Sequence, residues 1–243
     1  IGGGITGACI ARDAAMRGLS VALVEKKDFS SATSAGSSKL VHGGLRYLAN
    51  FELSLVRESL RERRTWEAIA PHMVTPVPFL VPLYGMASTI QLKIGLTLYD
   101  MLSYDRNRLD DPDKHMPGHK RLSREEALAH APYLKKEGLT GAMIYYDCQT
   151  YAPERVGVEC IGDAADNGAH VANYAQVDEI LTDVEGAKRK VIGARVTDLL
   201  DGSSHEITAD LTINATGPWG DIVIALAEKR RPPRPSPIRP KGS

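Results

Sequence analysis

The chain begins with Ile1-Gly2-Gly3-Gly4-Ile5-Thr6-Gly7, and this stretch decides the fold. Gly2, Gly4 and Gly7 have the G-x-G-x-x-G spacing of a loop that binds a dinucleotide. The first glycine permits a tight turn after a strand, and the second lets a pyrophosphate approach the backbone. The third lets the following helix pack closely on the sheet. Glycine-rich turns are common, so the prediction also depends on the residues after the loop.

The next residues support a nucleotide-binding start. Residues 8–17 are rich in alanine and predict a helix that ends before Gly18, a typical residue just after a helix. Residues 21–24 are apolar and predict a short buried strand, and Glu25 comes directly after it. A carboxylate about 20 residues after the glycines is placed to accept hydrogen bonds from a ribose. The sequence therefore predicts a dinucleotide-binding βαβ unit.

The two ends of the sequence indicate a fragment. A dinucleotide-binding fold needs a strand before the glycine turn, and Ile1 supplies only its last residue. Residues 240–243 carry no signal that ends a helix or strand. We therefore expect the chain to belong to a longer protein and to be truncated at both ends.

The charges of the 243 residues balance, with 30 basic and 30 acidic side chains. Such a balance creates no net field to attract nucleic acid, so we expect no nucleic-acid partner. One basic cluster alternates with acidic residues, and we predict that it forms a solvated helix face. The cluster comprises Arg61, Arg63 and Arg64, with Glu58, Glu62 and Glu67 between and around them.

The cysteines and the hydropathy of the sequence bear on disulfides, metal sites and membrane-spanning segments. The three cysteines form no C-x-x-C pair, which predicts neither disulfides nor a metal site and suits a reducing compartment. No run of about 18 apolar residues exists, so the sequence predicts no membrane-spanning segment.

Periodicity beyond residue 50 predicts a helical and irregular middle and then a series of strands. Residues 52–69 form an amphipathic helical pattern, and four prolines enforce extended chain over residues 71–82. Ser123 and Glu126 form a capping box, which begins a short helix. This order indicates an α/β nucleotide domain interrupted by an inserted domain. The remaining predictions are a helix at 155–165, strands at 141–146, 170–174, 176–181 and 211–215, and a hairpin of 191–199 with 205–209.

Residues 88–102 support two interpretations. Apolar residues alternate with polar ones from Ile90 to Leu98, which favours a strand. Ile90, Ile94, Leu98 and Leu102 also fall four apart, as on one face of a helix. By periodicity alone the strand is preferred.

A second motif points to a family. Residues 34–48 read Ser-Ala-Gly-Ser-Ser-Lys-Leu-Val-His-Gly-Gly-Leu-Arg-Tyr-Leu, and this resembles the signature of FAD-dependent glycerol-3-phosphate dehydrogenases. Residues 214–219 resemble that family's Asn-Ala-Thr-Gly-Pro-Trp turn, and residues 1–15 resemble its opening. Lys241-Gly242-Ser243 is similar to its Lys-Gly-Ser-His run without the His. The four motifs occur in the family's order over nearly the whole chain.

The resemblance implies the domain organisation. It predicts a Rossmann-like FAD-binding domain of the glutathione-reductase and D-amino-acid-oxidase type, made of residues 1–48 and 147–220. An α+β substrate or cap domain, residues 49–146 and 221–243, would interrupt it. The same resemblance makes residues 88–102 a helix near the membrane face, and we adopt it against the alternation.

The resemblance also implies which residues bind FAD. The glycine loop would hold the pyrophosphate at a helix N-terminus, and the strand-end carboxylate would bind the adenosine ribose. A Ser-rich segment would line the ribityl path, and the His-Gly-Gly run would pass under the isoalloxazine ring. The full predicted set is Gly2, Gly4, Gly7, Glu25, Thr33, Ser34, Ser37, Ser38, Lys39, His42, Gly43, Gly44, Val177 and Gly217.

By the same resemblance, Arg46, Tyr47 and Lys241 would bind the substrate. Arg46 could instead be a surface ion-pair partner, and His42 could be a buried, hydrogen-bonded side chain. Residues 147–155 depart from the family's usual Asp-Ala-Arg element. The general base is therefore left unassigned.

The implied reaction is oxidation of sn-glycerol 3-phosphate to dihydroxyacetone phosphate, with hydride passing to flavin N5 and electrons passing on to quinone. The resemblance implies a cytoplasmic enzyme held peripherally at a membrane surface, and it allows a homodimer. Four alternatives stay open: an oxidase that uses O₂, a flavin oxidoreductase acting on an amine or 2-hydroxyacid, an NAD-dependent Rossmann dehydrogenase, and a flavin-binding fragment without catalysis.

Overall fold

The computed structural model describes residues 1–185 and 188–230, with no side-chain description for 184–189. The described helices are α1 (Ile5–Met16), α2 (Leu53–Ile69), α3 (Met86–Leu102), α4 (Arg124–His130), α5 (Pro153–Asp166) and α6 (Gly220–Ala227). The described strands are β1 (Ala22–Val24), β2 (Leu40–Val41), β3 (Val74–Tyr84), β4 (Lys120–Leu122), β5 (Leu139–Thr150), β6 (His170–Ala172), β7 (Ala175–Glu185), β8 (Lys188–Asp198) and β9 (Ser204–Thr208).

The chain divides into two compact units. The nucleotide unit comprises Ile1–Ser37 and Ala152–Ser243, and the sheet unit comprises Ser38–Tyr151. The sequence placed the boundaries near residues 48 and 147 instead. Residues 38–48 group with the sheet unit because β2 pairs with β5. α6 groups with the nucleotide unit because it packs against β7.

Parallel pairing organises the start of the nucleotide unit. β1 pairs with β6 over Ala22–Val24, and α1 packs against α5. Beside β1, the Gly2 amide donates to the Val24 carbonyl at 2.9 Å. On the other side, the Ile1 nitrogen donates to Ile213 O at 2.8 Å, and Ala215 N donates to Ile1 O at 2.8 Å. Ile1 thus lies between β1 and residues 213–215.

The strand predicted at residues 211–215 is absent from the described structure. These residues run in an extended segment that pairs with Ile1 alone. The prediction of a regular strand there is wrong.

A three-stranded antiparallel sheet, in the order β7-β8-β9, completes the nucleotide unit. The turn at residues 199–203 joins β8 to β9, as the predicted hairpin requires. The core between this sheet and α6 is apolar, and it comprises Val24, Ala175, Ile180, Ala194 and Val196 with Val223 and Leu226 against them.

The sheet unit is built around β5. β3 pairs antiparallel with β5 along its length, while β2 and β4 pair with residues 148–149 and 142–144 of β5. β3 contains Pro76, Pro78 and Pro82, and it is an edge strand. Proline lacks an amide hydrogen and is tolerated in a sheet at such an edge.

α3 confirms the helical interpretation of residues 88–102 and shows why alternation misled. Leu96 and Tyr99 face the core, while Ile90 and Ile94 are 56% and 65% exposed. The helix buries one side, but apolar residues also occupy part of its other side. The alternation of apolar and polar residues therefore combined residues from two faces of one helix.

α2 carries buried charges on its apolar face. The residues that it buries are Val56, Leu60, Arg63 and Glu67, at successive spacings of four, three and four. The prediction of a solvated face is wrong for Arg63 and Glu67, which are 2% and 1% exposed. Their spacing continues the apolar stripe, and that is the signal by which the sequence could have revealed them.

Candidate functional site

The first glycine of the nucleotide loop is required by its backbone. Gly2 has φ +105°, a conformation that side chains rarely adopt. A methyl group on Gly2 would also lie 2.7 Å from the Ala215 carbonyl oxygen. The loop and the predicted turn at residues 214–219 are therefore in direct contact within the nucleotide unit.

Gly4 and Gly7 serve different purposes. A methyl group on Gly7 would lie 1.9 Å from the Gly2 carbonyl oxygen, so the helix packs on the loop only with glycine there. A methyl group on Gly4 would meet only the Ser34 hydroxyl, at 3.2 Å. Among the described residues, nothing else fills that space. Gly4 leaves open backbone where a ligand can approach.

The N-terminus of α1 is suited to an anion. The Ile5 amide donates to Ser34 Oγ at 2.9 Å, and the capping residue is Gly4. In the described structure the first turn contains no acidic side chain, and its capping residue, Gly4, has no side chain to close it. Its amides and the helix dipole favour a phosphate group. Ser34 thus lies at the N-terminus of α1, while Thr33 and Ser37 are exposed on the same loop.

Glu25 links the strand end to the glycine loop. Its Oε2 accepts from the Gly3 amide at 2.8 Å, and its Oε1 accepts from the Lys27 amide at 2.9 Å. A carboxylate offers about four lone-pair sites, so Glu25 can still accept hydrogen bonds from two hydroxyl groups. The geometry is compatible with the predicted ribose contact.

The remaining predicted contacts of this unit lie at a strand bulge and at a turn. Val177 is in β7, and the pairing with β8 shifts register just after it. Such a bulge leaves backbone groups outside the ladder. Gly217, at φ +54°, begins a 3₁₀ turn. Asn214 closes this turn, because its Nδ2 donates to Gly220 O at 2.9 Å and its Oδ1 accepts from Thr216 Oγ1 at 2.6 Å.

The other predicted residues lie on one loop of the sheet unit. Ser38 and Lys39 are exposed at its start, and Lys39 Nζ donates to Tyr151 O at 3.2 Å. Gly43 and Gly44 are buried. A methyl group on Gly43 would lie 2.2 Å from Leu60 Cδ2, so the backbone here presses against α2.

His42 is exposed, and its ring is oriented by its own loop. The Gly44 amide donates to His42 Nδ1 at 3.0 Å. A neutral histidine that accepts at Nδ1 carries its proton on Nε2. In that form His42 presents an N–H donor at its outer nitrogen, and it can orient a ligand.

Asp147, toward the C-terminal end of β5, holds the loop of residues 42–44 and was not singled out by the sequence. Its Oδ1 accepts from the Gly43 amide at 3.1 Å and from Arg63 Nη1 at 2.6 Å. Its Oδ2 accepts from the Tyr99 hydroxyl at 2.7 Å. The residue is 2% exposed, so its carboxylate joins the loop of residues 42–44 to α2 and α3 inside the core of the sheet unit.

The electrostatics of this cluster are set by burial. Burial and the neighbouring Asp147 carboxylate raise the pKa of Tyr99, so its hydroxyl stays a donor. Burial also raises the pKa of Glu67. Among the described residues no hydrogen-bond partner reaches either Glu67 carboxylate oxygen, and Arg63 Nε lies 4.0 Å from Oε2. Arg63 and Asp147 form the closer ion pair.

The predicted substrate residues come directly after the glycine pair. Gly44 has φ +74°, and a 3₁₀ helix over residues 45–50 begins after it. Arg46 and Tyr47 are exposed on that helix, and the Tyr47 amide donates to Gly44 O at 2.8 Å. Lys241, the third predicted substrate residue, lies outside the described residues.

The chain belongs to the FAD dependent oxidoreductase family, whose model matches residues 1–243. It is 39% identical over 236 residues to the alpha-glycerophosphate oxidase of Streptococcus pyogenes serotype M3, covering 96% of this chain and 37% of that protein. It is 39% identical over 233 residues to the glycerol-3-phosphate dehydrogenase of Synechocystis sp., covering 94% and 40%. The chain thus spans about two fifths of the length of these relatives.

Solved structures agree with this placement. The glycerol-3-phosphate dehydrogenase from Bacillus halodurans complexed with FAD has a TM-score of 0.68 and 32% identity, over 93% of this chain and 35% of that one. The L-proline dehydrogenase from P. horikoshii, at 21% identity and TM-score 0.64, covers 94% of this chain and 54% of that one and shares the fold. These findings confirm the predicted family and fold class, and FAD is the cofactor of the family.

The residues of the nucleotide unit fit FAD. Gly4 leaves open backbone beside a helix N-terminus, and Glu25 can accept from ribose hydroxyls. Gly2 and Gly7 are required by the packing of the protein itself, so Gly4 is the glycine of this loop that is left to contact the cofactor.

The two kinds of glycine can be separated by methyl insertion. We expect Gly7→Ala to destabilise the full-length protein by about 1–3 kcal/mol, because the new methyl overlaps the Gly2 carbonyl oxygen. Gly4→Ala should unfold at nearly the parental denaturant concentration and yet purify with much less flavin. Gly162→Ala, where the methyl meets nothing within 4 Å, is the matched control. Normal flavin content in Gly4→Ala would contradict the assignment.

The buried Glu67 predicts a pH-dependent stability. The pKa of Glu67 in the folded state is raised above its ordinary value of 4.5. At a pH between 4.5 and this raised pKa, the folded state therefore binds more protons than the unfolded state. The free energy of unfolding must then fall as pH rises above about 4.5. We expect Glu67→Gln to gain stability relative to the parent over this range.

The measurement is denaturant unfolding at several pH values. Glu62→Gln, at an exposed position on the same helix, should keep the parental pH profile and serves as control. Parallel profiles for the parent and Glu67→Gln would show that Glu67 titrates normally.

Proposed function

We propose that the whole protein oxidises sn-glycerol 3-phosphate to dihydroxyacetone phosphate with FAD. The observation that carries the proposal is the loop of residues 42–47, in which buried Gly43 and Gly44 lead directly to exposed Arg46 and Tyr47. The names of the relatives support the same substrate. Bound FAD would supply the hydride acceptor for the secondary alcohol.

The residues of this chain would bind and orient the substrate. A phosphate dianion requires fixed cations, and the guanidinium of Arg46 offers paired donors for it. His42 presents an N–H donor on the same loop, and Tyr47 packs its ring against Gly44. Binding through the phosphate would leave the alcohol free to be positioned beside the flavin.

For the electron acceptor we propose quinone, and O₂ is the second candidate. Relatives of both kinds are named, since some are dehydrogenases and others are oxidases. Quinone lies in the membrane, and α3 offers a surface that could meet a membrane. The helix exposes Met86, Ile90 and Ile94 in steps of four residues, with Lys93 exposed beside them. Such a face can lie in a membrane interface. No helix within the described ranges is long and apolar enough to cross a membrane.

The proposal places the enzyme on the cytoplasmic face of a membrane as a peripheral protein, and a homodimer stays a prediction. Leu98 and Leu102 were expected to share the apolar face of α3. They instead pack against the core of the sheet unit, beside Leu60 and Tyr99. The lipid-facing residues we propose are therefore at the N-terminal end of α3.

Arg46→Ala should raise KM for glycerol 3-phosphate about 10- to 150-fold, the loss of one charge-assisted contact of about 1.5–3 kcal/mol. Flavin content should stay near the parental value. Arg121→Ala, at an exposed position on β4, is the control. Dye-linked kinetics of the full-length protein give the answer, and a KM within twofold of the parent would remove Arg46 from the substrate site.

Ile94→Glu should weaken binding to anionic vesicles, because it places a charge in the proposed interfacial face. Sedimentation with the vesicles measures the loss, and dye-linked turnover should be unchanged. Tyr133→Glu, at a position 87% exposed and outside α3, is the control. Equal vesicle binding by Ile94→Glu and the parent would show that this face does not meet lipid.

A further inference from the structure

Asp147 receives hydrogen bonds from three separate elements. The donors are the Gly43 amide on the loop, Arg63 Nη1 on α2 and the Tyr99 hydroxyl on α3. Two carboxylate oxygens thus serve three donors in a core that excludes water. Hydrogen bonds to a charged group are the stronger ones, and burial strengthens them further. The carboxylate therefore fixes the relative positions of these elements within the sheet unit.

The loop that Asp147 holds has little freedom. A methyl group on Gly43 would lie 2.2 Å from Leu60 Cδ2 and 2.4 Å from the Tyr99 hydroxyl. Gly44 is left-handed, and its amide is bound by His42 Nδ1. A change of position at Gly43 must therefore move the residues on either side of it.

The partners of Asp147 are themselves held in place. Arg63 is 2% exposed and is paired with Asp147 at 2.6 Å, whereas Glu67 is 4.0 Å from its guanidinium. The Tyr99 ring meets Tyr145 of β5 edge to face, with centroids 6.2 Å apart. Both side chains are thus held by the core, and the carboxylate links them to the loop through the Gly43 amide.

We propose that Asp147 is a positioning residue for the substrate and flavin site: through the Gly43 amide it sets where His42 and Arg46 stand. The inference rests on the proposed function, in which this loop contacts the flavin and Arg46 binds the phosphate. Asp147 acts through the backbone and touches no ligand itself. Its loss should therefore change substrate binding and the flavin environment, beyond any cost in stability.

Asp147→Asn keeps the shape but replaces one acceptor oxygen by a donor, which must face Gly43, Arg63 or Tyr99. In full-length protein we expect KM for glycerol 3-phosphate, normalised to bound flavin, to rise at least about tenfold, with a smaller fall in kcat. The visible spectrum of the bound flavin should also shift. Tyr99→Phe removes one donor and keeps the charge, so we expect a KM change of about two- to fivefold.

Glu67→Gln is the matched control, because Glu67 is buried beside Arg63 and its carboxylate makes no hydrogen bond among the described residues. It should change the midpoint of unfolding and leave KM and the flavin spectrum at parental values. If Asp147→Asn cannot be purified folded, Tyr99→Phe decides the question by the same two measurements.

The proposal is overturned if the decisive variant loses thermal stability but keeps parental KM and the parental flavin spectrum. It is also overturned if Glu67→Gln changes KM and the spectrum equally, since that would be a general effect of the core. Failure of the proposed function looks different. There the parent itself would not be reduced by glycerol 3-phosphate, and the flavin spectra of the variants would still report on the loop.

Discussion

In both units, the backbone at certain glycines packs so closely against neighbouring segments that no side chain fits there, and the structure of each unit depends on this packing. In the nucleotide unit, Gly7 meets the carbonyl oxygen of Gly2, and Gly2 meets that of Ala215. In the sheet unit, Gly43 lies against Leu60 and Tyr99. Any side chain at these positions would separate the packed segments. The glycine motifs are thus first a requirement of folding, and Gly4 is the member whose open side is left for a ligand.

Charge in the core of the sheet unit is the second constraint. A buried guanidinium without a partner costs several kcal/mol, on the order of 3–5, so Arg63 requires Asp147. The same carboxylate binds the loop that precedes Arg46 and Tyr47. Stability and the geometry of the site therefore depend on one group. The exposed Arg46 follows this loop on a short 3₁₀ helix, so its backbone position is linked to the buried carboxylate.

Features encoded locally could be predicted from the sequence. The glycine spacing located the nucleotide loop, and Ser123 with Glu126 forms the predicted capping box. Features that depend on tertiary contacts could not be predicted. Because Arg63 and Glu67 are charged, the sequence predicted that they would be exposed to solvent. The role of Asp147 in the core has no local sequence signal, because its hydrogen-bond donors are distant in sequence.

The central claim is that this chain is part of a flavoprotein that takes electrons from sn-glycerol 3-phosphate. The most direct measurement is anaerobic titration of the full-length, flavin-loaded protein while the visible absorption of the flavin is monitored. We predict that glycerol 3-phosphate bleaches the oxidised flavin band within the time of mixing, whereas amino acids and 2-hydroxyacids leave it unchanged. Bleaching by an amine or a 2-hydroxyacid, with no response to glycerol 3-phosphate, would contradict the account.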